Sequence, residues 1–116
     1  MSAKIEDLAQ EVVRIREERE WGKFHTPKNI AISLTVEAAE LLEIFIWKTD
    51  SESMSLNETE LARVKAEAGD ILFNLINLAQ TLGIDLLQSG FDKAKEIDEK
   101  YPSKSFKGLS KKYNKD

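Results

Sequence analysis

One segment, residues 27–47, is apolar on nearly every side of a helix and yet carries three glutamates. Thr26 followed by Pro27 marks its start, because a hydroxyl side chain caps a helix and proline is tolerated at the first helical position. A helix that is apolar all round is expected to be buried. The glutamates, spaced three residues apart, are Glu37, Glu40 and Glu43.

The rest of the sequence is also helical in pattern. Apolar residues rarely alternate with a period of two, and there are only five glycines and two prolines. A first helix is predicted after Ser2, where apolar residues recur at spacings of three and four. The predicted caps are a Ser55–Glu58 capping box and Gly83 for the third helix, and an Asp85–Gln88 capping box and Pro102 for the fourth.

The predicted fold class is therefore all-α, a four-helix bundle. A chain of 116 residues is expected to form one domain. We place that domain at residues 1–102. Residues 103–116 are rich in lysine and have no helical period, so they are predicted to form a basic, loosely ordered tail.

Composition excludes several kinds of site. The chain has no cysteine, which excludes disulfides, zinc–thiolate centres and cysteine nucleophiles. Its single histidine, His25, excludes histidine-rich metal sites within one chain. The net charge of −4 argues against nucleic acid as the main partner. No apolar run reaches the roughly 18 residues of a membrane span and the start is unlike a signal peptide, so a cytoplasmic protein without a membrane partner is expected.

Two pairs of acidic residues have matching spacing on two apolar helices. Glu37 and Glu40 are one turn apart on the second helix, and Glu67 and Asp70 are one turn apart on the third. If these helices pack antiparallel, the four carboxylates face one another and repel. A hard divalent cation relieves this repulsion, and oxygen ligands alone favour Mg²⁺ or Mn²⁺. The alternative of solvated acids or salt-bridge partners stays open, and it applies equally to Glu43.

Polar and aromatic residues near these helices are candidates for substrate contacts. Asn74 and Asn77 continue the polar face of the third helix, where they either contact substrate or hydrogen-bond within the core. Trp21, His25 and Trp47 flank the second helix. Such side chains either form a wall for a planar base or serve as core and interface residues.

These motifs together are similar to those of a known family. Glu37-Ala-Ala-Glu40 followed by Glu67-Ala-Gly-Asp70 resembles a Glu-x-x-Glu … Glu-x-x-Asp metal signature. The run from Trp21 to Asn29, the motif helix ending in Trp47, and the pair Tyr101-Pro102 are also similar. Over roughly residues 5–102 the chain resembles the MazG-like, all-α nucleoside triphosphate pyrophosphohydrolases, a group that includes the dCTP pyrophosphatases.

The resemblance implies Mg²⁺-dependent hydrolysis between the α- and β-phosphates of (deoxy)nucleoside triphosphates, yielding a nucleoside monophosphate and pyrophosphate. Mn²⁺ is a possible substitute for Mg²⁺. Such an enzyme would serve the upkeep of the nucleotide pool. The metal ligands it implies are Glu37, Glu40, Glu67 and Asp70. Of these, Glu37 or Glu40 is expected to act on the attacking water. The substrate-binding residues expected are Trp21, His25, Trp47, Asn74, Lys93 and Tyr101.

The second helix is apolar on more sides than one four-helix unit can cover. We therefore expect helix–helix interfaces between copies of the chain, in a homodimer at least. A dimer of dimers is favoured, because the family resemblance includes tetramers.

One stretch departs from the family pattern. Family members often have a Lys-x-x-Lys-Asn-like run before Tyr-Pro that helps to hold phosphates. Here Glu96 stands where lysine is common and Ile97 where asparagine is common. Lys93, Lys100 or the tail lysines are the possible substitutes. The departure motivates a second hypothesis, a non-catalytic helical binding or regulatory module that retains the fold.

Overall fold

The computed structural model describes residues 4–108, and within that range every regular element is helical. The all-α fold class is thus confirmed. The bounds are α1 Ile5–Glu18, α2 Pro27–Phe45, α3 Asp50–Ser53, α4 Glu58–Leu82, α5 Leu86–Lys100 and α6 Ser103–Phe106, with a 3₁₀ turn at Trp21–Lys23. The first helix, predicted to start after Ser2, begins at Ile5 with Lys4 as its N-cap residue. Tail residues 109–116 lie outside the described residues. The chain divides into two units, Met1–Ile84 and Asp85–Asp116.

The first unit is built on α2 and α4, with α1 packed against α4. Two contacts show that α2 and α4 are antiparallel. Lys48, just after α2, pairs with Glu60 in the first turn of α4, whereas Glu37, earlier in α2, lies beside Glu67, further along α4. The buried apolar core consists of Val12, Ile30, Ile44, Ile76 and Ala79.

The start of α2 agrees with the prediction. The hydroxyl of Thr26 accepts a hydrogen bond from the Asn29 backbone N–H at 3.2 Å, and Pro27 is the first helical residue. The helix ends at Phe45, two residues before the predicted end at Trp47. The Trp47 side chain is 92% exposed.

The predicted Ser55–Glu58 cap is wrong. A capping box at Thr49 and Glu52 starts the short helix α3, and the Ser55 N–H closes that helix by donating to the Glu52 carbonyl. Ser55 therefore belongs to the C-terminal end of α3 and is not the N-cap of α4. Asn57 caps α4 instead, in a reciprocal box with Glu60.

The second unit contains α5 and α6. Asp85 caps α5 by accepting from the Gln88 backbone N–H at 3.0 Å. The Gln88 side chain donates to Asp92 at 2.9 Å, so only half of the predicted capping box is observed. Beyond α5, the Phe106 ring meets the Tyr101 ring edge to face at 5.2 Å. The domain boundary at residue 102 stays a prediction.

Within residues 4–108, no single helix combines the length and the apolar composition that a membrane crossing requires.

Two glycines of α4 provide a matched test of backbone strain. Gly83 ends the helix at φ 68°, in the left-handed region, as predicted for a C-terminal cap. Gly69 is inside the helix, and a Cβ added there would meet nothing within 4 Å. Nothing in the described part of the first unit therefore requires a glycine at residue 69 for close helix approach.

Gly83→Ala is expected to lower the free energy of unfolding by about 1–2 kcal/mol, because alanine resists the left-handed conformation. Gly69→Ala, the control in the same helix, is expected to raise it by up to about 1 kcal/mol. Urea unfolding of both variants measures the difference. Equal effects of the same sign would contradict the assigned conformation of Gly83.

Candidate metal centre

A cluster of three carboxylates forms where α2 faces α4. Glu37 on α2 and Glu67 and Asp70 on α4 each offer one oxygen, and these oxygens all lie within 4.8 Å of one another. Glu37 and Glu67 are half-buried, whereas Asp70 is exposed. Helical spacing explains the arrangement, because residues three apart on α4 point from one face towards α2. Three of the four predicted metal ligands are thus brought together.

Two oxygens of this cluster are buried and have no hydrogen-bond partner among the described residues. They are Oε2 of Glu37 and Oε2 of Glu67. A buried carboxylate oxygen is costly unless a donor or a cation compensates it. The donor set is purely carboxylate, which fits Mg²⁺ or Mn²⁺ better than zinc or copper. By burial and by chemistry, these residues fit a divalent cation.

The electrostatics of Glu37 reflect the same crowding. The neighbouring carboxyl of Glu67 raises the pKa of Glu37 to about 7 by sharing a proton with it. Burial and the negative charges of Glu40 and Asp70 act in the same direction. The two buried oxygens without a partner belong to these same two side chains. A cation at this point would take the place of the shared proton.

Glu40, the fourth predicted ligand, is half-buried and is not among the three closest carboxylates. Its charge nevertheless contributes to the raised pKa of Glu37. Glu43, one turn further on, is exposed. Of the four predicted ligands, three carboxylates are therefore grouped, and Glu40 lies next to that group.

The register of α2 against α4 is supported by an ion pair that the sequence did not reveal. The Lys48 ammonium lies 2.5 Å from a carboxylate oxygen of Glu60, and both side chains are about three-quarters buried. Glu60 also accepts from the Asn57 backbone N–H within the capping box. One side chain thus joins the start of α4 to the end of α2 and helps to hold the carboxylates opposite each other.

His25 belongs to a hydrogen-bond chain that spans the first unit. Its Nδ1 lies 2.9 Å from Nδ2 of Asn77, and Oδ1 of Asn77 accepts from Arg16 at 2.8 Å. Asn77 is buried, with only 1% of its surface exposed. Of the two roles considered for Asn77, the core hydrogen-bond role is observed. Arg16 was not predicted as a partner, because it carries no local signal for a residue 61 positions away.

The remaining predicted contact residues of the first unit have varied surroundings. The Trp21 ring lies 5.8 Å from the His25 ring at 51°. Asn74 is half-buried, and its amide donates to the backbone carbonyl of Asp70 at 3.1 Å. The Trp47 side chain is almost fully exposed among the described residues.

Lys93 and Tyr101 belong to the second unit. Glu96 binds both Lys93 at 2.5 Å and Lys100 at 2.6 Å. The two ammonium groups lower the pKa of Glu96 to about 2, and Lys100 has the larger effect. The two lysines therefore share one firmly ionised carboxylate on α5.

Fold and cluster together define a class: an all-α protein whose facing carboxylates suit a divalent cation. Residues 32–115 match the MazG-like family, and the chain belongs to that family. It is 32% identical over 111 residues to dCTP pyrophosphatase 1 of Homo sapiens and 33% identical to that of Bos taurus. A pyrophosphatase from Archaeoglobus fulgidus DSM 4304, known from a crystal structure, is similar with a TM-score of 0.80 and 34% identity.

The extent of these matches differs. The aligned region is 94% of this chain but only 65% of the human protein and 66% of the bovine one. The chain thus spans just under two thirds of the length of these curated relatives. The match to the Archaeoglobus pyrophosphatase covers 88% of this chain and 95% of that one.

Proposed function

We propose that this protein hydrolyses (deoxy)nucleoside triphosphates between the α- and β-phosphates, releasing a nucleoside monophosphate and pyrophosphate. The observation that carries the proposal is the cluster of Glu37, Glu67 and Asp70 with its two buried, unpartnered oxygens. The names of the relatives, dCTP pyrophosphatase and pyrophosphatase, support the same reaction class.

In this proposal Glu37, Glu67 and Asp70 hold Mg²⁺, or Mn²⁺ in its place, and Glu40 completes the ligand set or remains free. The cation would neutralise phosphate charge and lower the pKa of bound water. Either Glu40, if it is left free of the cation, or Glu37, through an oxygen that does not bind the cation, would orient the attacking water and accept its proton. Glu40 is better suited to this role, because it stands beside the three grouped acids.

The proposed substrate contacts follow the family resemblance. His25 with Trp21 and Trp47 would contact the base, and Asn74 would lie near the sugar. Lys93, on the stretch that departs from the family pattern, is proposed as a substitute phosphate contact, and Tyr101 is proposed as a further substrate-binding residue. The ion pair with Glu96 argues against a phosphate contact by Lys93, because the Glu96 carboxylate already balances the charge of the lysine.

A homo-oligomer is proposed from the outer face of α2. Four large apolar side chains share one helical face there, opposite buried Ile30 and Ile44, and each is about half exposed. They are Ile32, Val36, Leu42 and Ile46. A dimer or a dimer of dimers would cover this face. Light scattering is expected to give at least twice the chain mass of 13.2 kDa; a fully active monomer at micromolar concentration would contradict it.

One observation favours the second candidate, a non-catalytic helical module. Glu96 forms ion pairs with both Lys93 and Lys100. This part of α5 therefore offers less positive charge to a phosphate than the family pattern does. Such a module would keep the fold and would neither hydrolyse nucleotides nor bind them in a Mg²⁺-dependent way.

Incubation with each dNTP and NTP in the presence of Mg²⁺ separates the two candidates. We expect nucleoside monophosphate and pyrophosphate in equal amounts from at least one substrate, with dCTP as the first to test. Glu40→Gln is expected to reduce the rate strongly, while Glu17→Gln, an exposed control on α1, leaves it unchanged. No pyrophosphate from any nucleotide, or undiminished release by Glu40→Gln, would contradict the proposal.

A further inference from the structure

The chain of Arg16, Asn77 and His25 has a direction that the chemistry of its members fixes. Arg16 on α1 donates through Nη1 to Oδ1 of Asn77, and Nδ2 of the same amide lies 2.9 Å from Nδ1 of His25. A guanidinium has only donors, so the oxygen of the Asn77 amide must be the atom that faces it. The opposite amide orientation would set two donors against each other.

The direction of the amide determines where the proton of His25 resides. Because Nδ2 of Asn77 is a donor, Nδ1 of His25 must accept, which requires an unprotonated nitrogen. A neutral imidazole with a bare Nδ1 carries its proton on Nε2. The ring therefore offers a hydrogen-bond donor at its other nitrogen.

The ring is also held in place by its other neighbours. Trp21 packs against it at a tilted angle, and the guanidinium of Arg19 lies 5.6 Å from the centre of the Trp21 ring. Asn77 cannot relax towards solvent, because it is almost completely buried. Leaving a buried amide unpaired is costly, so the Nε2–H tautomer is favoured by the core itself.

We propose that Arg16 and Asn77 are positioning residues that hold His25 as the Nε2–H tautomer, so that its Nε2–H donates to an acceptor on the bound base. The ligand chemistry that fits is a base edge with a carbonyl oxygen or an unprotonated ring nitrogen. This inference rests on the proposed function for its ligand, whereas the tautomer itself does not depend on activity.

The single histidine makes the tautomer directly measurable. A long-range ¹H–¹⁵N spectrum of the full-length protein labelled with ¹⁵N-histidine, at pH 8, reports on one ring only. We expect a protonated-type shift for Nε2 and an unprotonated-type shift for Nδ1. A proton on Nδ1, whether in the other tautomer or in imidazolium, would overturn the proposal.

Asn77→Asp reverses the chemistry at one end of the bond. A carboxylate accepts from Arg16 with one oxygen and from the ring with the other, so Nδ1 of His25 is expected to gain a proton. Arg16→Gln is the second variant; without the guanidinium the Asn77 amide is no longer forced into one orientation, and both tautomers are expected. An unchanged Nε2–H tautomer in both folded variants would overturn the positioning role.

The ligand arm uses dCMP with Mg²⁺ as the probe. Adding dCMP is expected to shift the Nε2–H signal of the wild type, and Asn77→Asp is expected to raise KM for dCTP more than it lowers kcat. An unmoved signal with bound dCMP would overturn the contact to the base. If hydrolysis fails for every variant while the tautomer holds, the proposed function fails and the positioning of His25 stands.

Discussion

Glu67→Gln is expected to reduce turnover by more than about 100-fold and, at pH 8 without metal, to raise the melting temperature. Removing a residue that hydrogen-bonds to a metal ligand typically lowers metal affinity or activity by about 10–100-fold, and removing a ligand itself is expected to lower it further. The rise in stability follows from charge, because the variant removes one of the carboxylates that crowd Glu37. An amide also brings a donor to the buried oxygen of Glu37 that has none.

The matched control for this variant is Glu17→Gln, which removes one charge from an exposed position on α1. Its free energy of unfolding is expected to stay within about 0.5 kcal/mol of the wild type. Thermal melts and pyrophosphate release measured on all three proteins decide the matter. A Glu67→Gln protein that is less stable and fully active would show that this acid is structural and that the site lies elsewhere.

The second large effect is that of metal on stability, and it depends on pH. Mg²⁺ at a hundredfold excess over its Kd is expected to raise the free energy of unfolding by about 2.7 kcal/mol. In the absence of metal, the pKa of Glu37 is raised from 4.5 to about 7, so its proton is held more tightly in the folded state. The stability from that proton is complete below pH 4.5 and is lost as pH rises through 7.

The metal-free melting temperature is therefore expected to fall between pH 5 and pH 8 by more in the wild type than in Glu37→Gln. Mg²⁺ binds the ionised cluster, so its stabilising effect is expected to be larger at pH 8 than at pH 5. Melting curves across this range, with and without Mg²⁺, measure both trends. Parallel metal-free curves for the wild type and Glu37→Gln would contradict the crowding of carboxylates at this site.

The grouping of three carboxylates was predictable from the sequence, whereas one of the helix starts was not. Thr26 and Pro27 define the start of α2 through local chemistry. The spacing of three residues that separates Glu67 from Asp70 places both carboxylates on one face of α4, as helical geometry predicts. The start of α4 was missed because several polar residues in residues 49–57 compete as caps. The sequence pattern alone does not show that Thr49 and Asn57, rather than Ser55, are the N-cap residues of α3 and α4.

Long-range partners could not be predicted for a different reason. Helical period indicates that Asn77 lies on a polar stripe, but it does not identify Arg16 as the donor across the unit. The pairing of Lys48 with Glu60 likewise depends on how α2 and α4 pack. The bond from Lys93 to Glu96 was different, because its spacing of three residues was visible in the sequence and could have indicated the ion pair.

The most direct test of the carboxylate cluster as a cation site is anomalous diffraction from a crystal soaked in Mn²⁺. We expect a manganese peak bounded by carboxylate oxygens of Glu37, Glu67 and Asp70, and the loss of that peak in Glu67→Gln. A peak at another group of residues, or no peak in crystals of a protein that requires Mn²⁺ for pyrophosphate release in solution, would contradict the account.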